Sequence, residues 1–313
     1  MNIFLKRLGL LLITLLLITM AAFLAFQMIP GDPTTKMLGT EWTPEKAEAL
    51  RVELGLDKPV LQRYFSWLLG VFTGDTGRSY SYNKPVSELL AGKVSITLIL
   101  SAIAFALTAG ISIPLGLVLA RHPGGFLDRL AKVINQITMS IPTFFTGIIL
   151  MSIFGSVLGV FTPGVFVPFA ENPGQYLLHM FFAALSIALP KSAMLLRLFN
   201  SSLGAQAERE YVRTAYSRGC SRGMTLKRHV FKNAIMPVVT FLAWVLGDII
   251  AGSVIIEQIF AIPGLGRLLL LSISNRDFPV VQLIVVILAS VIVTANFAAD
   301  AINRAIDPRM RVG

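Results

Sequence analysis

Charge is what this sequence has least of. Only 14% of its 313 residues are Asp, Glu, Lys or Arg, while 55% are hydrophobic and the mean hydropathy is +0.73. Ordinary soluble domains carry roughly a quarter charged residues, so a polar shell around a globular core is excluded and the chain belongs in a membrane. Cysteine is nearly absent as well. The single Cys220 rules out an intrachain disulfide and any CxxC zinc or redox site. His122, His179 and His229 lie far apart in the sequence, which gives metal chemistry no visible ligand set. No GxxxxGK[ST] phosphate loop, HExxH pair, GxSxG elbow or cysteine–histidine pair occurs, so a membrane-embedded enzyme lacks a motif and ATP hydrolysis would have to come from another chain. A net charge of +10 would suggest nucleic acid in a soluble protein; in a membrane protein its meaning depends on where the charge sits.

A bilayer core about 30 Å thick takes about 20 apolar residues of helix. Six windows meet that need, at 8–29, 94–120, 133–161, 176–199, 235–256 and 279–303. They predict an all-α polytopic membrane protein. Lys6 and Arg7 precede the first window as in a signal peptide, but the apolar run is longer than a secretory core and no A-x-A cleavage site follows, so it reads as an uncleaved first helix. With the N-terminus in the cytoplasm, the inner segments hold sixteen Lys and Arg against Asp128, Glu208, Glu210 and Asp307, a net of +12. The outer segments come to −1, and Lys191, Asp248 and Asp300 within the spans contribute another −1. The Lys/Arg bias favours both termini inside.

Two connections are too long to be turns. In the outer one, 30–93, Thr43 has the chemistry of an N-cap, with Pro44 at the first helical position and Glu45 and Glu48 behind it. Further on, Leu61, Phe65, Leu68 and Leu69 share one helical face near Trp67, which fits either a helix on the membrane surface or one packed on the spans. The inner connection, 200–233, is polar enough to leave the bilayer, yet Tyr211, Ala215 and Gly219 recur every four residues, flanked by Arg209, Arg213, Arg218 and Arg222. A glycine break at 219–223 and a second basic stretch at 225–232 follow. Such an element suits a groove on a partner; the plainer reading is a solvated basic loop that fixes topology.

The string Glu210-Tyr211-Val212-Arg213-Thr214-Ala215-Tyr216-Ser217-Arg218-Gly219, followed by Asn233-Ala234-Ile235-Met236-Pro237, resembles the EAA loop of ABC-importer permeases in the dipeptide, oligopeptide and nickel branch. The likeness covers nearly the whole chain: Ile29-Pro30-Gly31-Asp32-Pro33, Leu54-Gly55-Leu56-Asp57-Lys58-Pro59, Gly74-Asp75-Thr76-Gly77-Arg78-Ser79, Glu257-Gln258-Ile259-Phe260, Pro263-Gly264-Leu265-Gly266-Arg267, Asn275-Arg276-Asp277-Phe278-Pro279-Val280-Val281-Gln282 and Asp307-Pro308-Arg309. In this order they are similar to the first permease subunit, which carries the long outer loop. The acidic residue that names the motif is absent, Arg213-Thr214 standing before Ala215, and the gap from Gly219 to Ile235 is longer than in the general motif.

The resemblance implies a type I ABC-importer permease in the cytoplasmic membrane of a bacterium or archaeon. It implies three parts: a first helix and outer loop at 1–93, a five-helix core at 94–303, and a tail at 304–313. It further implies a second permease, two ATPases that bind ATP and Mg, and an external binding protein that delivers substrate, with peptides the first expectation and nickel or metal chelates, glutathione or another small solute the alternatives. No cofactor and no nucleic acid is expected on this chain itself. Tyr211, Arg213, Ala215 and Gly219 would dock on an ATPase.

For the pathway, Asp248 in the fifth span and Lys191 in the fourth stand out, because an intramembrane charge is costly unless it meets water or a partner. A structural ion pair and a place on the substrate cavity are both open readings. Glu257, Pro263, Gly264 and Gly266 read either as an outer gate or binding-protein contact, or as a turn held by proline and glycine. Asn135, Gln136, Thr138 and Ser140 face the pathway or satisfy neighbouring helices, Ala243, Gly247 and Ala251 offer a small-residue packing face, and Asp300 pairs with Arg304 four residues on. A passive channel is the rival from another class, but it has no use for a long basic docking loop.

Overall fold

The computed structural model describes residues 2–27 and 32–306, with side chains described between 9 and 298 apart from 27–31, Pro33 and Lys36. Pro30 and Gly31, the basic pair Lys6 and Arg7, the Asp300–Arg304 pairing and the tail from 307 lie outside the residues so described. Helices follow one another in the order α1 (Asn2–Gln27), α2 (Pro33–Leu38), α3 (Pro44–Glu53), α4 (Val60–Thr73), α5 (Val86–Leu90), α6 (Lys93–Leu119), α7 (Phe126–Ser140), α8 (Thr143–Leu150), α9 (Pro173–Ala207), α10 (Glu210–Ser217), α11 (Arg222–Thr225), α12 (Phe231–Ile259), α13 (Leu265–Ser274) and α14 (Phe278–Ile306). No strand occurs among the described residues. Five helical stretches are long and apolar enough to cross a membrane, and a bent pair, α7 with α8 and its continuation to Val157, makes a sixth if counted as one crossing.

That bent pair corrects the continuous third span expected at 133–161. The axes turn by 103° between Ser140 and Thr143. The cause is local: Pro142 pushes the residue before it out of the helical region, and Ile141 is extended at φ −90°, ψ 124°. The chain then restarts as α8, whose first amides, Phe145 and Thr146, donate to the Pro142 carbonyl. The other spans appear where expected, with α9 running 35 residues from an Asn172 cap that accepts from the Gln175 amide.

Two compact units divide the chain, residues 1–95 with 264–293 and residues 96–263 with 294–313. In the first, Val86, Leu90, Leu265, Leu268, Val280 and Ile284 form a buried apolar cluster. Here α4 is anchored by Tyr64, 1% exposed, whose hydroxyl donates to the Leu16 carbonyl at 3.2 Å and meets Thr19 Oγ1 at 2.8 Å. A neighbouring face of α4 leaves Leu61, Phe65, Leu69 and Phe72 exposed, so the helix both packs on α1 and presents an apolar stripe. The expected N-cap is present: Thr43 Oγ1 accepts from the Lys46 amide, with Pro44 at the first position.

In the second unit α9 packs against α12, α8 and α7. Its core joins Met180, Ala183, Ala184 and Ile187 of α9 to Val245, Ile249 and Ile256 of α12. Close approach requires Gly116 on α6, where an added Cβ would fall 2.5 Å from Cδ1 of the buried Phe199. The small-residue face read from the sequence is not what buries α12: Gly247 is buried but Ala251 is exposed, and the packed ridge is Val238, Val245, Ile249 and Ile256. Bulky apolar side chains fill the space that small residues would leave open.

Candidate functional site

The connection at 200–233 folds into α10, a left-handed glycine and α11, which continues through a wide turn into α12. Tyr211, Ala215 and Gly219 were expected as one helical stripe, but α10 stops at Ser217. Gly219 lies just past the end with φ +80°. There its amide donates to the Tyr216 carbonyl and the Cys220 amide donates to Ala215, the paired bonds of a Schellman cap, which needs a residue content at positive φ. Ala215 is 5% exposed and Val212 1%, so both face inward.

The result is concave. A groove of about 510 Å³ is lined by Tyr211, Thr214, Ala215, Arg218, Met224 and Arg228, with Cys220 and His229 at its edge. Ala215 contributes a flat floor, while Arg218 and Arg228 supply positive charge. Arg213 stands apart on the exposed side, 3.3 Å from Glu210, and Tyr211 donates to Gln206 Oε1 at 2.8 Å. The four expected docking residues are therefore in one neighbourhood but in different roles: wall, exposed cation, floor and turn. A second cavity of about 620 Å³ is lined on this side by Asn135, Gln136, Arg197, Asn200, Tyr216 and Arg222.

Lys191 of α9 and Asp248 of α12, 57 residues apart, are brought together as an ion pair. Lys191 is 15% exposed in its side chain and Asp248 38%, so the carboxylate keeps an open side. Asn135 donates to the Ala193 carbonyl at 2.9 Å, while Thr138 and Ser140 bond back to carbonyls of their own helix at Ile134 and Gln136. Of the polar residues at this entrance, Asn135 thus satisfies a neighbouring helix and the two hydroxyls satisfy their own.

Glu257 is fully buried, in keeping with the turn that was one of its two readings. Thr97 donates to its Oε1 at 2.6 Å, and its backbone carbonyl accepts from Ile262 at 2.9 Å, closing the turn in which Ala261 sits at φ +53°. A carboxylate removed from water needs such donors. Pro263 is half-buried, and Gly264 and Gly266 are buried at the start of α13, with Gly264 in the N-cap position. These residues build a turn.

Two long-range devices have no sequence signal. His179 of α9, 2% exposed, donates from Nε2 to the Phe260 carbonyl at 2.6 Å, with the rings of Phe161, Phe166 and Phe260 edge-on around it. It pins the end of α12. In the other unit Asp277 is buried ahead of α14 and accepts from Ser79 Oγ and from the amides of Tyr80 and Ser81 at 2.9 and 3.2 Å. Both Ser79 and Asp277 lie in family-like strings, but neither string names the other as its partner, 198 residues away.

An all-α fold with multiple apolar crossings, a broken helix pair and a basic concave loop defines a multi-pass membrane transport subunit. The chain belongs to the family of binding-protein-dependent transport system inner membrane components: that family's model matches residues 112–312 and its N-terminal companion residues 1–101. Among its relatives are a Brucella abortus protein provisionally named a peptide transport system permease (36% identical), the glutathione transport system permease of Pectobacterium atrosepticum (31%) and the dipeptide transport system permease of Escherichia coli K12 (32%). The alignments cover 98%, 99% and 98% of both chains in turn. A solved chain described as an amino acid ABC transporter with histidines shares the fold, with TM-score 0.55 and 15% identity over 70% of this chain and 94% of that one. The protein is thus a non-catalytic permease subunit of an ABC importer, the ATPase being a separate chain.

Proposed function

We propose that this permease carries peptides handed over by an external binding protein and is driven by ATPases seated on the groove of 210–229. The observation that carries the coupling half is that groove, basic, concave and floored by Ala215. It suits an acidic or apolar projection of a partner, because the buried floor admits a side chain and Arg218 and Arg228 attract charge. Relatives named for peptide and dipeptide transport, alignable over 98% of their length, support the substrate class. Glutathione, itself a small peptide, is the second reading, favoured by the relative named for its transport.

In this reading a second permease completes the pathway, ATP and Mg bind only in the two ATPases, and Lys191 with Asp248 lies on or beside the substrate path. The charge asymmetry supports cytoplasmic termini and an outward loop ending at 93. The core at 94–303 then serves as the moving part. The deciding experiment is reconstitution. Purified complex with its binding protein should couple peptide uptake to ATP hydrolysis, and Gly219→Asp should leave the subunit inserted while separating hydrolysis from uptake. Normal uptake with normal ATPase association in that variant would overturn the docking assignment. Identification of the ligand that copurifies with the binding protein decides between peptide classes.

A further inference from the structure

Beside the groove proposed for docking lies a cavity of about 620 Å³ that shares none of that groove's lining residues. It sits where two spans end: Leu119 is the last residue of α6, Leu203 and Gly204 belong to the last turns of α9, and Leu226 follows α11. Its size is that of sites for small organic groups. Four charged side chains line it. Lys132 and Asp128 neutralise one another at 2.9 Å, while Arg197 and Arg222 are exposed and make no ion pair among the described residues. Gln136 and Ser201, also exposed, have side chains that bond to nothing among the described residues. A ligand can therefore reach both arginines and both neutral groups. Helix α7 has two sides here: Asp128, Lys132 and Gln136 line the cavity, and Leu130, Val133, Ile134 and Ile137 are exposed on the opposite side.

We propose that this cavity holds the head group of an anionic phospholipid, its phosphate drawn to Arg197 and Arg222. A basic pocket between membrane helices, at the level where they leave the bilayer, is where such head groups bind, and the guanidinium fork matches phosphate oxygens. Gln136 and Ser201 supply hydrogen bonds to the polar group beyond the phosphate. The acyl chains belong with the bilayer that the exposed apolar side of α7 requires. Free inorganic phosphate carries the same charge, but it would leave most of the volume empty and the leucine wall uncovered. Held by both arginines, the head group fastens α11 to α9. Which leaflet supplies the lipid rests on the orientation proposed above; the site itself depends neither on that orientation nor on the transported solute.

The test uses the assembled transporter in nanodiscs of equal phosphatidylglycerol and phosphatidylcholine, with the lipid retained on this subunit after release read by native mass spectrometry. Phosphatidylglycerol should be retained about tenfold or more over phosphatidylcholine, two arginines near a head group being worth such a factor. Arg197→Gln and Arg222→Gln should each lower that preference about fivefold. Arg121→Gln, an exposed cation near the end of α6 but outside the lining, should leave it unchanged. If either cavity variant fails to assemble, the wild type decides: a phosphatidylglycerol with a photoreactive head group should label segments 196–207 or 222–230. Equal retention of the two lipids, a preference unchanged in both cavity variants, or labelling confined to other segments would overturn the proposal. Saturable binding of radiolabelled inorganic phosphate in discs of phosphatidylcholine alone, lost in the same two variants, would give the cavity to a free anion and overturn the lipid.

Discussion

Gly219 and Lys191 show how much depends on single positions. At Gly219 the backbone has φ +80° and open space where a Cβ would stand, so a substitution meets no clash and acts through the left-handed conformation. Gly219→Ala should cost the turn about 1–2 kcal/mol, whereas Asn tolerates that region better. The expected order of coupled uptake is therefore wild type, then Gly219→Asn, then Gly219→Asp, in which a negative charge joins the basic groove. Equal defects for Asn and Asp would assign the effect to the turn alone. Lys191→Met strands the Asp248 carboxylate, and with 38% of it exposed the loss should be about 1–3 kcal/mol, below that of a fully buried pair. A reversed pair, Lys191→Asp with Asp248→Lys, should recover much of it in thermal unfolding of the detergent-solubilised complex. Recovery of stability without recovery of uptake would place the pair in the transport path as well as in the fold.

Among the helices and their connections, close packing and buried caps set the tolerances. Gly116→Ala on α6 forces a Cβ to 2.5 Å from Phe199, and although alanine is the better helix former, overpacking of about 1–3 kcal/mol should outweigh that gain. Phe199→Leu added to the same chain should relieve it, and failure to do so would mean the clash is absorbed elsewhere. Asp277→Ala should release the 79–82 turn, leaving the Tyr80 and Ser81 amides without their acceptor at a cost of about 2–3 kcal/mol. Faster amide exchange at Tyr80 and Ser81 is the readout.

The segment from α2 to α3 should also respond to acid through Asp32. Burial works to raise this carboxyl, but hydrogen bonds from Thr34 and Arg51 and the Arg51 charge outweigh it and hold it below the usual carboxylate range. A lowered folded value means that its stabilisation is fully present above the ordinary carboxylate pKa and is lost as pH falls through the folded value. Protection of the α2–α3 segment against exchange should therefore fall below about pH 4. Asp32→Asn should remove that step.

For the molecule as a whole, orientation and assembly can be read from one atom. Cys220 is the lone cysteine and lies, partly exposed, in the lining of the groove proposed for docking. A membrane-impermeant maleimide should label it in inside-out vesicles and not in right-side-out ones, and bound ATPase should slow the reaction. Labelling from the outer face would reverse the orientation drawn from the charge count. Apolar faces on α7, where Phe126, Val133 and Ile137 are exposed, suit lipid or the second permease.

Membrane class, the apolar spans, the Thr43 cap and the basic inner loop were legible from sequence alone, because each depends on residues within a few turns of one another. Helix periodicity, capping and hydropathy are local quantities. The break at Pro142 is local as well, since proline restrains the residue before it, but hydropathy averaged over 133–161 does not register it. Tertiary structure alone decided that Lys191 meets Asp248, that Glu257 is sealed against Thr97, that His179 holds Phe260 and that Asp277 holds 79–81. It also turned a presumed stripe of small residues into a groove. Those outcomes depend on which side chains helix packing brings within about 3 Å, and hydrogen bonds and ion pairs lose their meaning beyond that reach.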